Sequence, residues 1–105
     1  MSDVARRFGD NLVRCRKAAG ISQEELGFRA SLHRTQIGCL ERGENCPRID
    51  TVAKLAGALE VPPGDLMDGI VWAPARTTEG RFIEVPVPGV TILRRFEVER
   101  QETAS

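Results

Sequence analysis

A short run of the sequence, residues 34–42, combines side chains suited to recognising another polar molecule. Three hydrogen-bonding side chains open this run: Arg34, Thr35 and Gln36. Arginine offers parallel N–H donors, and the other two both donate and accept, a set that matches the edges of base pairs and phosphate oxygens. The chemistry that this run predicts is binding through hydrogen bonds and charge.

Catalytic and metal-binding chemistry have little support in the sequence. There is one histidine, His33, with no Gly-rich phosphate loop and no nucleophile beside an obvious base. The three cysteines, Cys15, Cys39 and Cys46, match no zinc-ligand spacing. We therefore expect no catalytic residue, no metal site and no cofactor. The odd cysteine count favours thiols in a reducing compartment over a disulfide framework.

Apolar periodicity and helix-ending residues predict the elements that must hold this run in place. In the first helix, Phe8, Leu12, Cys15 and Ala19 recur at spacings of four, three and four, which lines one face. Gly20 is expected to end that helix, because glycine adopts a left-handed turn cheaply. The predicted helices are residues 3–19, 23–30, 34–42, 49–60 and a short fifth helix from Pro62-Pro63 to about Met67.

A tight connection at residues 31–33 separates the second and third helices. Ser22 and Glu25 have the spacing of a capping box at the start of the second helix. Ser31 stands where the turn needs a left-handed residue, which costs a serine about 1 kcal/mol. Two helices joined this closely form a helix-turn-helix, whose second helix fits the major groove while the first crosses the DNA backbone.

One pattern runs through these helices. It consists of Gly20–Leu26 (GISQEEL), Ile37, Leu40–Gly43 (LERG), Pro47, Thr51–Leu59 and Val61. The pattern resembles the XRE family of phage-repressor and Cro-like helix-turn-helix regulators over roughly residues 6–68. The resemblance implies a mainly α fold, with a five-helix phage-repressor-like DNA-binding domain at residues 1–71. It also implies a cytoplasmic regulator of transcription that associates with the nucleoid when it is bound to DNA.

The resemblance further implies which side chains contact double-stranded DNA. Arg34 and Thr35 open the recognition helix and are best placed to read bases. Gln23, at the start of the second helix, is expected to brace against phosphate. The remaining expected contacts are His33, Gln36, Cys39, Arg42 and Arg48. Arg16 and Glu41 occupy positions that pair in several family members, so we expect a partly buried salt bridge between them.

Two of these residues have alternative interpretations. Cys39 either touches a thymine methyl group, senses oxidation, or is simply a small residue near the DNA. His33 suits an ordinary helix start as well as it suits a DNA contact. Gly27, inside the second helix, is expected to allow another helix to approach closely.

The composition changes after residue 69. Residues 73–80 are linker-like, while 81–87 and 90–99 are rich in Val, Ile, Phe and Thr. We expect two short strands in a β-hairpin-like segment, with a helix from Leu93 as the alternative. An isolated two-stranded hairpin is marginal in water, so residues 72–105 are predicted to supply a dimerisation element. Its expected contact residues are Trp72, Phe82, Ile83, Val85, Val90, Ile92, Phe96 and Val98.

These features predict a homodimeric repressor that reads a palindromic operator. The alternative is an antitoxin or coactivator-type module that uses its C-terminal segment to bind another protein. The 15 basic and 15 acidic residues balance, which argues against a nonspecific nucleic-acid binder. No apolar run approaches the length of a membrane span, and the N-terminus lacks the apolar region of a signal peptide.

Overall fold

The computed structural model describes residues 3–74 and 80–84. It contains five helices followed by two strands, which confirms the mainly α fold with a C-terminal hairpin. The elements are α1 (Asp3–Ala19), α2 (Gln23–Ala30), α3 (Arg34–Glu41), α4 (Ile49–Leu59), α5 (Pro63–Leu66), β1 (Ile70–Ala73) and β2 (Arg81–Glu84). Helix bounds agree with the sequence periodicity to within about a residue at each end, the usual uncertainty of helix termini. None of the helices in these ranges is long and apolar enough to cross a membrane.

The helical unit ends at Met67 and is held by a single apolar core. Helix α1 packs on α3, α4 and α5, while α2 packs on α3 and α4. Each helix contributes at least one fully buried apolar side chain, and together these are Phe8, Leu12, Leu26, Ile37, Leu55 and Leu66. Ala19, expected on the inner face of α1, is exposed. Burial of these apolar side chains away from water drives the packing of the helices.

The core also contains a polar side chain that apolar periodicity does not reveal. Asn11 is fully buried, and its Nδ2 donates to the Leu66 carbonyl oxygen at 2.9 Å. Its Oδ1 accepts from Arg14 Nη1 at 2.8 Å, and Arg14 Nη2 donates to the Asp65 carbonyl at 3.3 Å. Both ends of the amide are therefore satisfied, and they tie α1 to the end of α5.

The hairpin forms a second unit that begins at Asp68. Strands β1 and β2 are antiparallel, with Trp72 opposite Phe82 and Val71 opposite Ile83. The strand predicted to start at Arg81 is present. It pairs with residues 70–73, for which the sequence pattern predicts no strand. The predicted run 90–99, together with Val85, Val90, Ile92, Phe96 and Val98, lies outside the described residues.

The turn between α2 and α3 is closed by backbone hydrogen bonds around a left-handed serine. Ser31 has φ 56° and ψ 41°, as expected for this turn. The Leu32 N–H donates to the Gly27 carbonyl at 2.8 Å, and the Ser31 N–H donates to the Phe28 carbonyl at 3.3 Å. This pair of bonds is a Schellman motif, which satisfies the last carbonyls of α2 and reverses the chain sharply.

Two glycines allow backbones to meet at close range. A Cβ at Gly9 would lie 2.5 Å from the Leu40 carbonyl oxygen and 2.8 Å from that of Glu41, so α1 touches the end of α3. A Cβ at Gly27 would lie 2.7 Å from the Leu32 carbonyl oxygen. It would also lie 3.4 Å from the Arg34 backbone N, so Gly27 allows both the turn and the first residue of α3 to approach closely.

We predict opposite effects from adding a methyl group at two helical glycines. Gly9→Ala should lower the free energy of unfolding by about 1–3 kcal/mol, because the methyl meets backbone oxygens that cannot rotate away. Gly57→Ala is the matched control, since a Cβ there meets nothing within 4 Å. It should raise stability by about 0.5–1 kcal/mol through helix propensity. Urea unfolding followed by circular dichroism measures both. Equal stabilisation of the two variants would contradict the close contact at Gly9.

Candidate nucleic-acid interface

The recognition helix α3 begins with an imidazole cap. His33 Nδ1 accepts a hydrogen bond from the Thr35 N–H at 3.1 Å and lies 3.0 Å from the Thr35 hydroxyl. In return, Gln36 Oε1 accepts from the His33 N–H at 2.9 Å, which completes a capping box. Because Nδ1 is the acceptor, the neutral ring carries its proton on Nε2. His33 and Gln36 are both expected to contact DNA. In this structure they cap α3 and stabilise its first turn.

A buried ion pair braces the helix-turn-helix from behind. Arg16 Nε donates to Glu41 Oε2 at 2.6 Å, and Arg16 Nη2 donates to Glu41 Oε1 at 3.2 Å. The two side chains are 15% and 6% exposed, respectively. Gln23 Nε2 donates to the same carboxylate at 2.8 Å, and Arg16 Nη1 donates to the Ile21 carbonyl at 3.0 Å. One carboxylate therefore fixes α1 and the start of α2 to the end of α3.

Arg34 is the first residue of α3 and the only basic residue within it. Its side chain is exposed, and within residues 3–74 and 80–84 no hydrogen bond or ion pair engages it. A cleft of about 400 Å³ opens beside it, lined by Arg16, Ser22, Gln23, Glu24 and Arg34. The starts of α2 and α3 thus line one opening, which carries the exposed Arg34 guanidinium and also the Glu24 side chain.

The other predicted cations are paired with carboxylates. Arg42 Nε donates to Glu44 Oε2 at 2.5 Å, and Arg48 Nε lies 3.3 Å from Asp50 Oδ1. Hydrogen bonds from Arg42 and then from Cys39 lower the pKa of the Glu44 carboxyl, so this side chain stays charged. The same Glu44 raises the pKa of Arg42. These pairs reduce the positive charge that the loop after α3 presents.

A second cleft, of about 240 Å³, lies along α3. Its lining residues are Thr35, Gln36, Cys39, Leu40, Asn45, Cys46, Pro47, Arg48 and Thr51. Four of the predicted contact residues are therefore brought together here, while Gln23 and Arg34 line the first cleft. Sequence reasoning missed Asn45 and Thr51. Asn45 lies in the loop that follows α3, and Thr51 lies just after that loop. This position was the signal that could have identified them.

The hairpin contains an aromatic pair. The rings of Trp72 and Phe82 are 5.0 Å apart and edge-to-face, with an interplanar angle of 75°. The two residues remain 49% and 47% exposed. Ile83 is partly exposed. Such a half-covered aromatic pair in a two-stranded sheet is an unusual amount of apolar surface for so small an element.

The comparisons with known proteins agree with this geometry. Residues 12–66 match HTH_3, the helix-turn-helix family, and the chain belongs to that family. It is therefore a DNA-binding regulator of transcription and not an enzyme, and its resemblance to the XRE regulators is confirmed.

Three similar proteins carry names that describe control. Control protein C.BamHI of Bacillus amyloliquefaciens is 40% identical over 68 residues, which are 64% of this chain and 84% of the relative. The restriction-modification controller protein C.AhdI from Aeromonas hydrophila superposes with a TM-score of 0.58 at 39% identity, covering 59% of this chain and 94% of that one. The wild-type restriction-modification controller protein C.Esp1396I has a TM-score of 0.57 at 26% identity, covering 59% and 82%.

We predict that the imidazole cap contributes to folding. His33→Ala removes the acceptor for the Thr35 N–H and should lower the free energy of unfolding by about 1 kcal/mol. His33→Asn keeps a side-chain acceptor at the cap and should remain within about 0.5 kcal/mol of the parent, because asparagine is among the preferred cap residues. Thermal and urea unfolding provide the measurement. If the asparagine variant were as unstable as the alanine variant, the cap would not explain the contribution of the ring.

Proposed function

We propose that this chain binds a two-fold symmetric operator as a homodimer, with α3 of each subunit in the major groove, and represses transcription there. The observation that carries the proposal is Arg34, which is exposed at the start of a capped helix and has no side-chain partner in the described part of the chain. The brace formed by Gln23, Glu41 and Arg16 supports it, because a helix that reads bases must be held at a fixed angle.

In this proposal the residues of α3 have distinct roles. Arg34 bonds a guanine through two parallel N–H groups, and Thr35 contacts an adjacent base edge. Gln23 can still offer its second amide N–H to a phosphate, since one amide N–H is held by Glu41. His33 donates through Nε2 to the backbone or to a base at the edge of the site. Gln36 and Cys39 line the groove-facing cleft beside them.

Residues of the loop that follows α3 make the proposed phosphate contacts. Arg42 and Arg48 would exchange Glu44 and Asp50 for phosphate oxygens when DNA binds. The exchange is feasible because exposed ion pairs contribute little to stability. Both cations already have partners in the unbound protein, so nonspecific attraction to the DNA backbone stays low. The base contacts then contribute a larger share of the binding free energy.

The hairpin supplies the proposed dimer contact. Each subunit reads one half-site, and half-sites on one face of the duplex lie about 34 Å apart. Trp72 and Phe82 offer a compact aromatic surface, and a two-stranded sheet needs further packing to be stable. A two-fold contact between hairpins would cover that surface in both subunits at once. The likeness to two restriction-modification controller proteins supports a role in controlling a small set of genes in the cytoplasm.

Removal of the Arg34 side chain tests base reading. We expect Arg34→Ala to weaken binding to the operator about 5- to 150-fold, which corresponds to about 1–3 kcal/mol for a bidentate base contact. Binding to a scrambled duplex should change far less. Operators selected from a random duplex pool and titrated by fluorescence anisotropy provide the measurement. Lys54→Ala is the control, because it removes one exposed positive charge from α4 and leaves α3 intact.

Two outcomes would contradict the proposed reading. Equal losses on operator and scrambled duplexes would make Arg34 a phosphate contact. A selected pool without two-fold symmetry would argue against a symmetric dimer on DNA.

The dimer contact is tested in the full chain by polar substitution of the aromatic pair. Trp72→Ser with Phe82→Ser should shift sedimentation toward the monomer at concentrations where the parent is dimeric, because the apolar contact area is lost. Phe28→Ser is the control, since that side chain is 83% exposed on α2. A double variant that stays dimeric would exclude the hairpin as the interface. A parent that is monomeric throughout would favour the alternative of another protein as the hairpin's partner.

A further inference from the structure

Two of the three cysteines line the same cleft beside the recognition helix. Cys39 lies in α3 and is partly buried, whereas Cys46 is exposed in the loop that leads to α4. Both form walls of the 240 Å³ cleft described above. The third cysteine, Cys15, lies in α1 and does not line this cleft. The chain therefore offers a matched control within its own thiols.

Backbone bonding folds the loop with Cys46 against the end of α3. The Glu44 N–H donates to the Cys39 carbonyl at 3.0 Å, and the Gly43 N–H donates to the Leu40 carbonyl at 3.1 Å. Gly43 has φ 73°, the left-handed conformation that such a reversal requires. Cys46 follows Glu44 by two residues and lines the same cleft as Cys39.

Both thiols are accessible from this cleft. Arg42 Nη2 donates to Cys39 Sγ at 3.6 Å, so the Cys39 sulfur lies at the surface beside an exposed side chain. Cys46 is open to solvent and can meet a small reagent directly. Two thiols that line one cleft thus occur within eight consecutive residues.

We propose that Cys39 and Cys46 form an oxidisable pair that closes an intramolecular disulfide across this cleft and thereby weakens DNA binding. The oxidant is a low-molecular-weight disulfide. One cysteine thiolate attacks it, forming a mixed disulfide and releasing one small thiol. The other thiolate then attacks the protein sulfur of that mixed disulfide and releases the second small thiol. Two electrons pass to the reagent, and the two thiol protons leave with the small thiols or to solvent.

The effect on DNA follows from where the bond would lie. A disulfide requires its two Cα atoms to approach within about 7 Å, so it fixes the loop against α3. Thr35, Gln36 and Arg48 line the same cleft and belong to the proposed contact surface. Closing the cleft therefore limits how that surface fits a duplex. The effect on binding rests on the proposed function, whereas formation of the bond does not.

Bond formation is tested first, on the full chain in buffers of reduced and oxidised glutathione. Peptide mass spectrometry without reduction should find a Cys39–Cys46 link in the parent and in Cys15→Ser. The link should be absent in Cys39→Ser and Cys46→Ser, which should carry at most a mixed disulfide. If the parent forms only mixed or intermolecular disulfides under the same conditions, the proposed pair is wrong.

Operator affinity is then measured on the same samples. Oxidation should weaken binding about tenfold or more in the parent and in Cys15→Ser, an ordinary magnitude for coupling between sites, and dithiothreitol should restore it. The Cys39→Ser and Cys46→Ser variants should not respond. A disulfide that forms without changing affinity would overturn the regulatory effect. Failure of the reduced parent to select any operator would instead count against the proposed function, whatever the mass spectra show.

Discussion

The ion pair between Arg16 and Glu41 is the interaction on which the functional surface depends. Because the two side chains are 15% and 6% exposed, solvent screens them little, and loss of either partner would strand a charge at a cost of about 3–5 kcal/mol. The carboxylate also holds Gln23, so the pair joins α1, the start of α2 and the end of α3. The angle at which α3 can enter a groove is thereby set from inside the protein.

The close approach of α1 to α3 makes the ion pair between Arg16 and Glu41 possible. The missing side chain at Gly9 lets α1 approach the backbone of Leu40 and Glu41, which brings Arg16, two turns further along α1, within reach of the carboxylate. The left-handed Ser31 reverses the chain sharply enough for α2 and α3 to share one core. Packing and polar pairing therefore reinforce each other. This is expected of a small domain, which can bury only a limited apolar surface.

The charge distribution fits selective rather than indiscriminate binding. Arg42 and Arg48 each have a carboxylate partner, whereas Arg34, at the start of α3, has none among the residues that the structure describes. Net charge is zero over the whole chain, so long-range attraction to DNA is modest. In the proposed complex, affinity would therefore depend on a fitted surface, and base contacts would contribute more relative to phosphate contacts.

The amino-acid sequence by itself determined the five helices, their order and the helix-turn-helix, because apolar period, caps and glycine stops are local signals. It also picked out Arg16 with Glu41 through family resemblance. Only the tertiary structure decided that His33 and Gln36 cap α3, that Asn11 is buried, and that residues 70–73 pair with β2. The same is true of the cleft shared by Cys39 and Cys46. Such contacts depend on which backbones come close in space, and no local pattern encodes that distance.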